Sequence, residues 1–227
     1  MASFYENMIV PTYVINHPER KDMLTQIQLQ FAGKNEFDVI TVEACPHLIG
    51  TVGLWKSILK IIQMAIARDD DVIIICEAQH KFTKYYSKEY LFRNIIEAVD
   101  QGVEILAGGI ANFSHAVPVS KHRLWINSFS CTQFIIVYKN LFRKLLEEPF
   151  EETDTVDAKL SEITSHKMTL IPFVSFPKSF GDVNTKVKLQ QRAYRDSGFR
   201  ETEKRLKKIL RVKELYSKHK IGKGNDC

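Results

Sequence analysis

Two periods of apolar residues run through this chain, and they divide it into strands and helices. Residues 10 to 16 and 38 to 42 are apolar and β-branched over strand length, and residues 72 to 75 form an uninterrupted Val-Ile-Ile-Ile run. Such a run predicts a central strand buried on both faces. Residues 103 to 107, 134 to 138 and 168 to 176 give further strands. Helical spacing appears at 18 to 31, through Met23, Ile27 and Phe31, and at 50 to 67, where Leu54, Trp55, Ile58, Leu59, Ile62 and Ile66 leave little polar face. That second helix is expected to be buried. Shorter helices are predicted over 87 to 99, 141 to 147 and 154 to 165. Strands alternating with helices predict an α/β fold, with a mostly parallel sheet and helices on both faces. Residues 112 to 130 show no clear period and read as a long surface loop.

Composition narrows the class. A chain of 227 residues with 44% hydrophobic and 11% aromatic content can bury one substantial core. One domain over residues 1 to 190, followed by a tail over 191 to 227, is expected. The four cysteines, Cys45, Cys76, Cys131 and Cys227, are far apart and form no Cys-x-x-Cys pair. That pattern argues against a zinc ribbon or a disulfide scaffold and fits a reducing cytoplasm. No signal peptide and no apolar stretch of bilayer-spanning length is visible, so a cytoplasmic protein is expected. The net charge of +5 is concentrated in the tail, which carries nine Lys or Arg residues between 201 and 223.

The end of the 72 to 75 run carries the most chemistry. Glu77, Gln79 and His80 follow at its carboxyl side, where open α/β sheets bind ligands. Three blocks, of which this is one, give the chain a resemblance to a known family. Tyr13-Val14-Ile15-Asn16 with Arg20 looks like an opening Val-Ile-Asn-Leu-x-x-Arg signature, with His17 in place of leucine. Gly53 to Lys60 looks like a Gly-Cys-x-x-Ser-His-Leu-Lys helix, with Ile58 in place of histidine. Cys76-Glu77-Ala78-Gln79 falls where Leu-Glu-Asp-Asp would stand, and a weaker match covers residues 179 to 183, including Asp182. In order and spacing the chain resembles bacterial glycosyltransferases of the family 25 type, the lipooligosaccharide galactosyltransferase-like group.

The resemblance implies a GT-A-like, Rossmann-type fold and a nucleotide-sugar donor such as UDP-galactose or UDP-glucose. It also implies inverting transfer of a hexose to a surface-polysaccharide or lipopolysaccharide acceptor. A divalent metal, Mn2+ or Mg2+, would hold the donor diphosphate, and only Glu77 remains of the acidic motif, with Gln79 and His80 as the other candidate ligands. The alternative is that Glu77 and His80 are hydrogen-bonded polar residues at a strand end. Ala78 and Gln79 also raise the second possibility of a non-catalytic glycan-binding or assembly protein on the same fold. Asn16, Arg20 and Ser57 are the donor-side candidates, and Gly108-Gly109 either lets a backbone approach a sugar closely or is a turn.

Inverting transfer needs a base for the acceptor hydroxyl. Asp154 and Asp157, at the start of the helix over 154 to 165, are the candidates, with helix capping as the competing role. Trp125 and Phe129, with His115, offer stacking surfaces for an acceptor, and His122 with Arg123 would suit an acidic one; a core role for the tryptophan is the alternative. In the tail, Phe199, Leu206, Ile209, Leu210 and Tyr216 lie near one helical stripe among basic residues. That stripe predicts peripheral contact with an anionic membrane, docking on the chain's own domain, or a homodimer contact. No recognised nucleic-acid module accompanies the charge.

Overall fold

The computed structural model describes residues 5–177 and 186–222, with side chains described for 5–177 and 196–217. The weak match at 179 to 183, with Asp182, lies outside the described residues. The first half of the chain forms β1 (Val10–Asn16), α1 (Lys21–Phe31), β2 (Phe37–Glu43), α2 (Gly50–Ala67), β3 (Val72–Glu77), β4 (His80–Phe82) and α3 (Lys88–Val99). The second half forms β5 (Ile105–Ala107), β6 (Ala116–Pro118), β7 (Arg123–Ile126), β8 (Phe134–Tyr138), α4 (Lys139–Glu147), α5 (Val156–Ile163), β9 (Lys167–Leu170), β10 (Ser175–Pro177) and α6 (Lys186–Gly222).

Eight strands make one sheet in the order β2-β1-β3-β8-β5-β9-β7-β6, and β4 pairs with β10 in a small second sheet. Strands β1, β2, β3, β5, β6 and β9 run one way, and β7 and β8 run against them. The fold is therefore the mixed α/β class with a mostly parallel sheet that the apolar pattern predicts. Alternation along the strands divides the core into two layers. Tyr13, Ile15, Ile73, Ile75, Ile135 and Val137 face α2, α4, α5 and α6, whereas Val14, Ile74, Cys76, Phe134 and Ile136 face α1 and α3.

Two expectations are corrected, and one left open is decided. Residues 112 to 130 are not a loop: β6 and β7 form a hairpin that extends the main sheet, through β7 pairing with β9. The strand expected over 168 to 176 is two strands, β9 and β10, in different sheets. The first part of the tail's apolar stripe is covered, with Phe199, Leu206 and Leu210 buried in the layer shared with α2 and α5, whereas Tyr216 is exposed. The Thr202 hydroxyl donates to the Ala111 carbonyl at 2.7 Å, and the Lys213 ammonium donates to the Pro118 carbonyl at 3.0 Å. Of the three roles open to the stripe, docking on the chain's own domain is the one observed. No helix among the described residues is long and apolar enough to cross a membrane.

Candidate functional site

A cavity of about 320 Å3 opens at the carboxyl end of β3. Glu77 reaches it from the last position of β3, Gln79 from the turn between β3 and β4, Thr132 and Gln133 from the segment entering β8, and Asp157 and Thr51 from the first turns of α5 and α2. The antiparallel insertion of β8 explains this meeting. Cys76 lies opposite Phe134, so the residues preceding β8 arrive at the edge that β3 leaves. The Glu77 N–H donates to the Gln133 carbonyl at 3.0 Å, and the Thr132 hydroxyl donates to Glu77 Oε1 at 3.0 Å.

On the other wall, the Cys131 N–H donates to Asp157 Oδ2 at 2.9 Å. Cys131 itself has a φ of 77°, a left-handed conformation that a side chain of this kind rarely adopts. Two consecutive residues, Cys131 and Thr132, thus hold the two carboxylates of the cavity. Burial pushes the Asp157 carboxyl above its usual pKa, and the Cys131 N–H opposes that rise in part.

The other candidate base has a different environment. Asp154 Oδ2 accepts from the Glu151 N–H at 2.8 Å and pairs with Lys159 at 3.1 Å, and these contacts hold its pKa below the usual carboxylate range. Asp154 is outside the cavity lining, while Thr155 caps α5 through the Ala158 N–H. Geometry therefore separates two aspartates that the sequence could not rank.

His80 is not beside Glu77. It is 0% exposed and lies on the opposite side of the sheet, stacked on Phe134 at 4.7 Å and on Phe31 at 5.7 Å, with Phe82 edge-on at 4.3 Å. Its Nδ1 meets the Ser175 hydroxyl at 2.8 Å, and burial drives its pKa down to about 3. Strand β4, which carries the ring, pairs with β10 in the second sheet, which explains why three residues of separation put His80 on the far face. A divalent cation expected at Glu77, Gln79 and His80 does not fit these residues. No group of three His, Cys, Asp or Glu side chains that could hold a metal occurs among the described residues.

Other expected donor residues also have structural work. Ser57 is completely buried: its hydroxyl donates to the Gly53 carbonyl at 2.7 Å and accepts from the Cys45 N–H at 2.8 Å. A Cβ on Gly53 would lie 2.7 Å from the Cys45 carbonyl, so the Gly53-to-Ser57 block lets α2 pack against the chain leaving β2. Gly108 and Gly109 are buried; a Cβ on Gly108 would lie 2.6 Å from the Phe134 ring, and one on Gly109 would meet the Ser175 carbonyl. They are neither a surface turn nor open to a sugar. Asn16 ends β1 with its amide donating to the His17 carbonyl at 3.0 Å, and its Oδ1 is buried without a hydrogen-bond partner. Arg20 precedes α1 and makes a two-pronged pair with Asp22 at 3.2 Å on the surface.

The acceptor candidates are dispersed. Phe129 is core, packed in the layer of α5, and Trp125 lies on β7 with its indole N–H donating to the Ser165 carbonyl at 2.7 Å. Arg123 is 1% exposed and joins β7 to α3, donating to Asn94 at 2.6 Å and Glu97 at 2.7 Å. His115 is exposed, and His122 packs edge-on against Tyr90. None of these lines the cavity at β3. The residues that sequence reasoning missed, Cys131, Thr132 and Gln133, precede an apolar strand without any motif.

No protein-family model matches the chain, and no curated protein sequence matches it. Among solved structures, A197 from STIV is similar with a TM-score of 0.53 at 12% identity, covering 77% of this chain and 87% of that one. An apo UDP-glucose pyrophosphorylase has a TM-score of 0.45 at 10% identity, covering 86% and 82%. A glycosyltransferase involved in glycosylation of the major capsid of PBCV-1 has a TM-score of 0.40 at 12% identity, covering 60% and 63%. At these identities the likeness concerns the fold.

Proposed function

We propose that the chain is a glycosyltransferase that moves a hexose from a UDP-sugar to a glycan acceptor with inversion. The observation that carries this reading is the pair of carboxylates, Glu77 and Asp157, brought to one cavity at the carboxyl end of a parallel strand. Ligands of open α/β sheets bind at that edge. Asp157 is the base: its raised pKa strengthens it towards an acceptor hydroxyl, and the Cys131 N–H fixes its orientation. In the transfer, the acceptor oxygen forms a bond to the anomeric carbon as the bond to the UDP oxygen breaks. The hydroxyl proton passes to Asp157, and UDP departs with the bonding pair.

Because the residues at Glu77 do not fit a cation, no step is assigned to one. The test is UDP release from UDP-glucose or UDP-galactose in the presence of simple glycan acceptors. Release that depends on the acceptor supports transfer, and the absence of release with either donor opposes it.

Ala78 and Gln79 favour a second reading, a glycan-binding protein on the same fold. Ala78 is buried, so only position 79 can regain a carboxylate facing the cavity. If Gln79→Asp creates metal-dependent UDP release that the natural chain lacks, the site is an impaired enzyme; glycan binding without release by either protein favours the binding role.

A further inference from the structure

We propose that the outward face of α6 docks on an anionic lipid bilayer, through a row of cations and, at its far end, two exposed aliphatic side chains. This face shares no residue with the cavity at β3. Between positions 200 and 217 the chain carries seven Lys or Arg residues. Two of them fasten the helix to its own domain: the Arg205 guanidinium lies over the Phe113 ring at 4.2 Å, and the Lys213 ammonium donates to the Pro118 and Val119 carbonyls at 3.0 and 3.3 Å. The other five, Arg200, Lys204, Lys207, Lys208 and Arg211, are exposed and border one hollow of about 400 Å3 together with Glu203.

Helical spacing makes the row. Arg200, Lys204, Lys208, Arg211 and Leu215 follow at steps of three or four residues, so they share one stripe, and Phe199, Leu206 and Leu210 occupy the buried side. The stripe extends along the helix for about 22 Å. Acids of the same segment offset only part of its charge: Glu203 pairs with Lys207 at 2.8 Å, Glu201 approaches Lys204 at 3.9 Å, and Glu214 is the third. Arg200, Lys208 and Arg211 have no carboxylate partner among the described residues. The turn after β4 adds to the edge of the face. Tyr85 is 40% exposed there, with the Lys207 and Lys84 ammonium groups each 5.2 Å from its ring centre.

Charge alone suits any polyanion, and the aliphatic residues select lipid. Val212 follows Lys208 by four positions and Leu215 follows Arg211 by four, and they are 66% and 57% exposed. A cationic face that ends in apolar side chains meets headgroup phosphates and the acyl boundary together. Single-stranded nucleic acid is bound instead through rings that stack on bases along a cationic groove. The stripe from Arg200 to Leu215 holds no such ring.

Co-sedimentation of the full chain with vesicles is the test, comparing phosphatidylcholine alone with phosphatidylcholine plus phosphatidylserine. Binding to the mixed vesicles, none to the neutral ones, and a steep fall with added salt are expected. Replacing three cations together, Arg200→Gln, Lys208→Gln and Arg211→Gln, is expected to weaken partition about 100-fold, at about fivefold for each. These side chains are exposed and unpaired, so the fold, checked by circular dichroism, is expected to be kept. Leu215→Ser is expected to weaken binding about tenfold. Absence of binding to the mixed vesicles, equal binding to the neutral ones, or an unchanged triple variant overturns the inference. So does an unchanged Leu215→Ser variant, which would make the face a general polyanion site, with a single-stranded RNA as the probe that identifies it. Nucleotide-sugar turnover is read in none of these arms, so failure here leaves the transferase reading standing.

Discussion

Two aspartates three residues apart illustrate how environment assigns a role to a side chain. Asp154 is held by a backbone N–H and Lys159, whereas Asp157 is drawn into the cavity and partly desolvated. A buried carboxylate with a raised pKa favours folding at low pH, and that contribution is lost as pH rises through the raised value, so the charge costs stability at neutral pH. Asp157→Asn keeps an acceptor for the Cys131 N–H and removes the charge. We expect it to hold or raise the melting temperature at pH 7 while lowering acceptor-dependent turnover by about 10²-fold or more. Thermal unfolding and UDP release on one preparation check both halves; a destabilised variant with normal turnover would oppose the assignment. The acid limb of turnover in the natural chain should lie above the ordinary carboxylate range, since Asp157 must be ionised to act.

His80 gives the opposite pH signature. Its folded pKa of about 3 lies below the unfolded value of 6.5. Stability is intact above 6.5 and falls as pH drops from there towards 3, by up to about 1.4 kcal/mol per pH unit from this group alone. His80→Phe, in a cage already built from Phe31, Phe82 and Phe134, should flatten that decline. Urea denaturation at pH 7 and pH 4.5 measures it, and an unchanged difference between the two pH values would count against the assignment.

At the scale of elements, α6 is part of the core rather than an appendage. Phe199 is fully buried against Phe173 and Phe176, so Phe199→Ala should cost about 3 kcal/mol or more in urea denaturation. A loss below about 1 kcal/mol would mean that the helix contributes little. The helices and the first three strands were legible because each writes its period locally: Met23, Ile27 and Phe31 in α1, or the Val72-to-Ile75 run in β3. Strands β6 and β7 were not, because three- and four-residue strands are too short for a period to register. The antiparallel sense of β8 was equally hidden, since strand direction depends on partners distant in sequence. The same non-local pairing hid Cys131, Thr132 and Gln133, whose importance comes from arriving opposite Glu77. Of the two roles open to His80, the hydrogen-bonded one holds, because the chain reverses between β3 and β4 and three residues of sequence separation do not bring His80 beside Glu77.

For the whole molecule, a mostly parallel sheet with two helical layers leaves a cavity at the end of β3 that Glu77 and Asp157 line, and the blocks that carry the resemblance divide around it. The Gly53-to-Ser57 block packs α2 in place, Glu77 faces the cavity, and His80 supports the opposite layer. On the transferase proposed above, the donor would be held without the usual acidic motif. The most direct measurement is calorimetric titration of the full chain with UDP, with and without Mn2+. Binding with the same affinity in both conditions is the result predicted here. No binding in either condition, or binding only when Mn2+ is present, would contradict it.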